Sequence, residues 1–250
     1  MRALLPLGAI CLCFTLGCGR LFGRDFSVDV FDVDCGGAFP DSEPPDSEVP
    51  LASVCGDYVG YYGTSTASSW HTRADWEEEN DASGSSTRTV SDWQEDADGA
   101  EFTVEILGSN ELPGYDDYEV HLTDRYRCDA DGLWLLSYRL DYSYSINGQP
   151  NSGWVQSDLS EPMLMLRPEL AVGAHWSGVS RANVTNSAGS AYEQELPYSF
   201  EVAGQETITV PAGRFSTLKL VQDDGAAVFW LDAERGVVRD LSVEQVDWTR

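Results

Sequence analysis

The sequence is short of positive charge. Fifteen Lys and Arg stand against 42 Asp and Glu, a formal net charge of −27, and Lys219 is the only lysine. A field of that sign repels phosphate backbones and anionic headgroups, which argues against nucleic acid as a partner. Histidine is scarce too. His71, His121 and His175 each stand alone in sequence, and the first two fall at polar positions of alternating segments, as surface or rim histidines do. No stretch reaches the 18 or so consecutive apolar residues that a membrane-spanning helix needs. The G-x-S-x-G elbow, the P-loop, H-E-x-x-H and C-x-x-C are all absent, so no local signature supports a hydrolase nucleophile, a nucleotide, a zinc protease or thiol redox chemistry. Catalytic, metal and cofactor-binding residues are therefore expected to be none. No sustained 3.6-residue apolar stripe occurs either, and Glu161–Leu170 is interrupted by Pro162 and Pro168.

What is present is period two. From Leu133 to Ile146 the even positions Trp134, Leu136, Tyr138, Leu140, Tyr142 and Tyr144 are apolar, while Ser137, Arg139, Asp141 and Ser143 lie between them. Upstream, Val120, Leu122, Tyr126 and Cys128 alternate with His121, Thr123, Arg125 and Arg127. One wet and one apolar face is the mark of an antiparallel strand over a core. Asp129-Ala130-Asp131-Gly132 joins the two segments as a hairpin turn, and Asn147-Gly148 ends the second. Shorter alternations run through Trp70–Trp76, Phe102–Ile106, Tyr198–Val202, Ile208–Val210, Leu218–Leu220 and Val228–Asp232. The fold class is all-β: one domain over residues 55–250, an antiparallel curved sheet or open, half β-barrel. Eight Trp, 11 Tyr and 9 Phe are enough for a real core.

Residues 18–54 read differently. Their second half, Phe39 to Pro50, mixes Pro, Ser, Asp and Glu, buries little, and is expected to be a disordered acidic spacer. Ahead of it, Arg2 and the apolar run Ala3–Leu16 make a signal-peptide pattern too short to span a bilayer. The run ends in Thr15-Leu16-Gly17-Cys18, which resembles the bacterial lipobox. That resemblance implies cleavage between Gly17 and Cys18, removal of residues 1–17, and lipid on the Cys18 thiol. With Gly19 next, it implies passage to the outer membrane. Thr15 and Leu16 depart from the usual lipobox residues, and an ordinary signal cut near Gly19 is the alternative.

With Cys11 and Cys13 in the signal and Cys18 lipidated, Cys35, Cys55 and Cys128 remain for an oxidising compartment. One disulfide is expected, Cys55–Cys128 or Cys35–Cys55 among the pairings, with one thiol left over.

In the C-terminal third, Thr209-Val210-Pro211-Ala212-Gly213-Arg214-Phe215-Ser216-Thr217-Leu218-Lys219 resembles the TVPAGxFxTLK signature of TapB/DUF3108-like envelope proteins. Phe229-Trp230-Leu231 with Gly236, and Pro162-Met163-Leu164 with Val172-Gly173 and Trp176, are similar to its flanking segments. The matches cover about residues 160–240. The resemblance implies a curved antiparallel sheet and carries no catalytic residues. Val210 to Arg214 is expected to turn the chain between strands, Phe215, Leu218 and Leu220 to re-enter the core, and Gly236 to make another turn.

Two acidic patterns invite metal. Gln94, Asp96, Asp98, Gly99 and Glu105 match most of a calcium-loop spacing, but Gln replaces the first ligand and the flanks read as strand. Asp29–Asp34 alternates Asp with Val and Phe, as a short strand does. The expected function is a lipid-anchored, non-enzymatic envelope module that binds an apolar ligand in the concavity of the sheet or a partner envelope protein. The alternatives are a polysaccharide hydrolase with two carboxylates close together in an aromatic-lined groove, and a calcium-stabilised surface protein.

Overall fold

The computed structural model describes residues 55, 57–62, 69–76, 82–111, 116–240 and 243–249. Cys18, Gly17, Cys35 and the Asp29–Asp34 repeat lie outside them. Among the described residues twelve strands follow one another as an up-and-down meander: β1 (Ser69–Trp76), β2 (Ala82–Glu95), β3 (Gly99–Glu111), β4 (Asp116–Asp129), β5 (Gly132–Ile146), β6 (Gln149–Leu166), β7 (His175–Asn186), β8 (Ala191–Val210), β9 (Gly213–Gln222), β10 (Ala227–Asp232), β11 (Gly236–Asp240) and β12 (Val243–Thr249). The all-β, antiparallel, curved reading holds. The ten strands β2–β11 form one continuous sheet, and β1 pairs with both β2 and β12, which closes the ring. β11 and β12 meet at a single pair, Arg239 with Glu244. Closure leaves the outer strands with partners for their backbone groups.

The turns follow the chemistry of their residues. Asn147 and Gly148 both have positive φ, 52° and 73°, the geometry of a type I′ hairpin between β5 and β6. Val210 ends β8 and Gly213, at φ 139°, opens β9, so the Pro211-Ala212 segment turns the chain as expected. Phe215, Leu218 and Leu220 are buried behind it, and Gly236, φ 79°, reverses β10 into β11.

Strict alternation along β5 fails at its start. Leu133 and Leu135 are fully buried whereas Trp134 is only half-buried, and from Tyr138 onward the even positions turn inward. The cause is a bulge at Leu136 on β5: Arg125 and Tyr126 of β4 are consecutive, while their partners are Ser137 and Leu135, and the extra residue shifts side-chain parity by one. The prolines of the Glu161–Leu170 segment likewise mark a boundary. A bulge lies between Leu159 and Glu161, beside Pro162, and β6 then continues to Leu166 with Met163 and Met165 buried.

The principal core includes Phe102, Tyr126, Leu133, Leu135, Met163, Phe200 and Leu220. Before β1, a 3₁₀ turn at Asp57–Tyr62 packs Tyr58, Val59 and Tyr62 into that core at 1–2 % exposure. Two links hold it there. Cys55 and Cys128 are joined, their Cα atoms 5.4 Å apart, and the Tyr58 hydroxyl donates to the Asp129 carbonyl. On its other side Gly60 lies against the β10–β11 turn, where a Cβ would come within 2.0 Å of the Ala233 carbonyl oxygen. The turn is thus a plug, seated beside the C-terminal end of β4.

Candidate functional site

At the other end of β4 the sheet presents a groove. Register fixes its walls. Ser85, Ser109, Glu119, Ser143 and Ser152 are successive partners across β2–β6 and form one row. Thr87, Leu107, His121, Asp141 and Trp154 form the next. Successive residues of a strand point to opposite faces, and Val120, Leu122 and Leu140 are buried on the core side. Both rows therefore lie on the opposite, outward face. They line a cavity of about 740 Å³, within the roughly 300–1,000 Å³ typical of small-molecule sites.

Most charged groups of the groove already have partners. The Arg139 guanidinium forms a two-pronged bond with Asp141, at 2.7 and 2.8 Å, and lies 4.8 Å from the centre of the Trp154 ring. Hydrogen bonding to Arg139 holds the Asp141 carboxyl below the usual range. His121 Nε2 is 3.8 Å from Glu105 and 3.4 Å from the Thr123 hydroxyl. Ser143 donates to Glu119 at 3.3 Å, and Ser85 and Ser109 approach each other at 3.4 Å. What the rows offer a ligand is hydroxyl groups, carboxylate oxygens, one imidazole, one indole and the exposed Leu107 side chain.

Among the described residues, the carboxyl with raised proton affinity is elsewhere. Asp124 has no solvent exposure, and burial pushes it up to about 7 against the opposing pull of the Tyr126 hydroxyl and of Arg88. Tyr126 donates to its Oδ2 at 3.1 Å. Its parity places it inside the sheet, on the face opposite the groove, so it does not supply the raised acid of a glycosidase pair there. Sequence alternation missed Asp124 because a carboxylate at an inward position reads as a lapse in the pattern.

The metal lookalike comes apart in three dimensions. Asp96 sits in the β2–β3 turn, bonds Arg127 at 3.0 and 3.2 Å, and accepts from the Asp98 backbone N–H. The Arg127 hydrogen bond lowers its carboxyl to about 2. Glu105 lies six residues along β3 from Gly99, which on an extended strand is about 20 Å, and faces His121 instead. Among the described residues no cluster of three His, Cys, Asp or Glu side chains is placed to hold a metal. His175 is exposed on β7; His71 is on β1 and its side chain is outside the described set.

Trp176 is buried against Phe200, with ring centres 5.4 Å apart. Trp134 donates to Asp129 and is half-buried. Trp230 lies between Lys219 and Arg239, with its indole N–H on Glu206. Tyr138, Tyr58 and Tyr62 occupy the interior together with Trp176.

No family model, curated protein or solved structure matches this chain. Among the described residues no helix is long and apolar enough to cross a membrane.

Proposed function

We propose that this chain is a lipid-anchored envelope protein whose β-domain is a non-enzymatic binding module, held at the outer membrane through Cys18 and the acidic segment 19–54. The observation that carries the binding part is the open groove across β2–β6, together with an interior occupied by the protein's own Tyr58, Tyr62 and Tyr138. The ligand site is accordingly the groove rather than the apolar concavity. Charged side chains such as Arg125, Arg139 and Asp141 on the outward face support attachment by lipid over insertion of the strands, because a lipid-facing strand surface is apolar. The TapB/DUF3108-like resemblance of residues 160–240 agrees with an envelope address.

Metabolic labelling with palmitate tests the anchor. Label is expected on the native chain and lost in Cys18→Ala; equal labelling of both removes Cys18 as the attachment point. Incubation with envelope polysaccharide tests the absence of hydrolysis. Release of new reducing ends that disappears in Glu119→Gln or Asp141→Asn would replace the binding reading with a hydrolytic one.

A further inference from the structure

The groove's composition and spacing say what it takes, given that it is the binding site proposed above. We infer that it binds a neutral saccharide chain lying across β2–β6.

Three observations converge. First, the polar groups repeat at the strand spacing. Ser85, Ser109, Glu119, Ser143 and Ser152 come one per strand, about 4.8 Å apart. That interval is close to the advance of a pyranose chain per sugar unit. A chain laid across the strands would meet one hydroxyl or carboxylate at each unit, and both group types suit sugar hydroxyls, which donate and accept alike.

Second, the flanking row supplies the apolar complement. Trp154 lies beside these hydroxyls, with Arg139 fixed over its ring by the two-pronged bond to Asp141. A large planar side chain held in place by its neighbours can pack against the C–H face of a sugar without losing much freedom on binding. Leu107, 54 % exposed, offers a second apolar contact in the same row, three strands from Trp154 with His121 and Asp141 between.

Third, charge narrows the class. Arg139 is committed to Asp141, and His121 lies near Glu105. With the chain at −27, an anionic polymer would be repelled. The competing occupant is a cation drawn to Glu105 and Glu119. The row of serines distinguishes the two, since a cation site gains little from hydroxyls spread over four strands.

The test uses the full chain and calorimetric titration. The probes are cellohexaose, maltohexaose and chitohexaose, with hexalysine and a polygalacturonate hexamer as charged controls. At least one neutral hexasaccharide is expected to bind. Trp154→Ala should weaken it tenfold or more, and Ser109→Arg, an exposed position where folding is not at stake, should do likewise by filling the groove. Tyr192→Ala on β8, outside the groove, should leave affinity unchanged. Binding that survives both groove variants overturns the assignment of the saccharide to this groove. Hexalysine binding, lost in Ser109→Arg and without any saccharide response, overturns the ligand class and leaves the binding module standing. Silence from every probe overturns both.

Discussion

Asp124→Asn should flatten the dependence of stability on pH. Asp124 lies on β4 between Val104 and Tyr138, fully buried, with Tyr126, Tyr62 and Arg88 as the titratable or charged groups coupled to it. Its Oδ2 accepts from Tyr126, and its Oδ1 has no hydrogen-bond partner among the described residues. A carboxylate so placed loses hydration that its neighbours only partly replace, so the native state prefers the protonated acid. The unfolded chain releases that proton near pH 4, the native chain near pH 7. Between those values the native state holds more protons than the unfolded one, and stability falls as pH rises. The span corresponds to about 4 kcal/mol, fully present as stability below pH 4 and lost by about pH 8. In a domain of this size that is roughly 8–16 °C in Tm.

The depressed acids act in another window. Asp96 and Asp141 contribute stability above pH 4 that is lost as pH falls through their lowered values, so they do not mask the slope at pH 5–8. General repulsion among the acids at −27 does fall partly in the same range, and for that reason the comparison matters more than the native slope alone. Asn keeps an acceptor for Tyr126 and cannot ionise. It will shift the whole curve by a constant, about 1–3 kcal/mol downward if its amide hydrogens go unpaired. Thermal melts of both proteins at half-unit steps from pH 4.5 to 8 read the difference. Parallel curves would refute the reasoning, because they would mean that Asp124 ionises equally in both states.

Three further outcomes follow from the plug and the turns. Cys55→Ser, or reduction of the Cys55–Cys128 bond, removes a cross-link with a sequence separation of 73 and should cost about 4 kcal/mol by loop-closure entropy, read by denaturant titration. Gly60→Ala would drive a Cβ into the Ala233 carbonyl and should cost about 1–3 kcal/mol; an unchanged unfolding midpoint would show that the plug does not sit against the β10–β11 turn. Calcium should leave the melting temperature where chelator does, since Asp96 is engaged by Arg127 and Glu105 faces His121.

The architecture was legible because period two survives wherever one face is wet. Val120, Leu122, Tyr126 and Cys128 point inward as read, and the Asn147-Gly148 and Val210–Gly213 turns fall where their chemistry demands. The inversion at Leu133 and Leu135 was not legible, because a bulge is a property of two strands and leaves no composition of its own. The plug was hidden for a related reason. Asp57–Tyr62 is too short for any period, and only its seating against β4 and the β10–β11 turn gives it a role.

The groove was hidden more deeply, and the reason bears on how such sites arise. Each contributing residue is an ordinary outward residue of its own strand: a serine on β2, a serine on β3, a glutamate on β4. Read along the chain, Ser85, Ser109 and Glu119 are simply the wet half of an alternation. Read across it, antiparallel register places them side by side in one wall of the groove. The information that makes a site is therefore in the pairing offsets, which the hairpin turns set. Moving one turn by a single residue would reverse which side chains of that strand face outward and would break both rows at once. Such a site has no motif, since its spacing in sequence is the hairpin length and its spacing in space is the distance between strands. Under the saccharide-binding proposal the lack of a catalytic motif is what such a surface requires: binding through repeated weak polar contacts needs position at every strand and special chemistry at none.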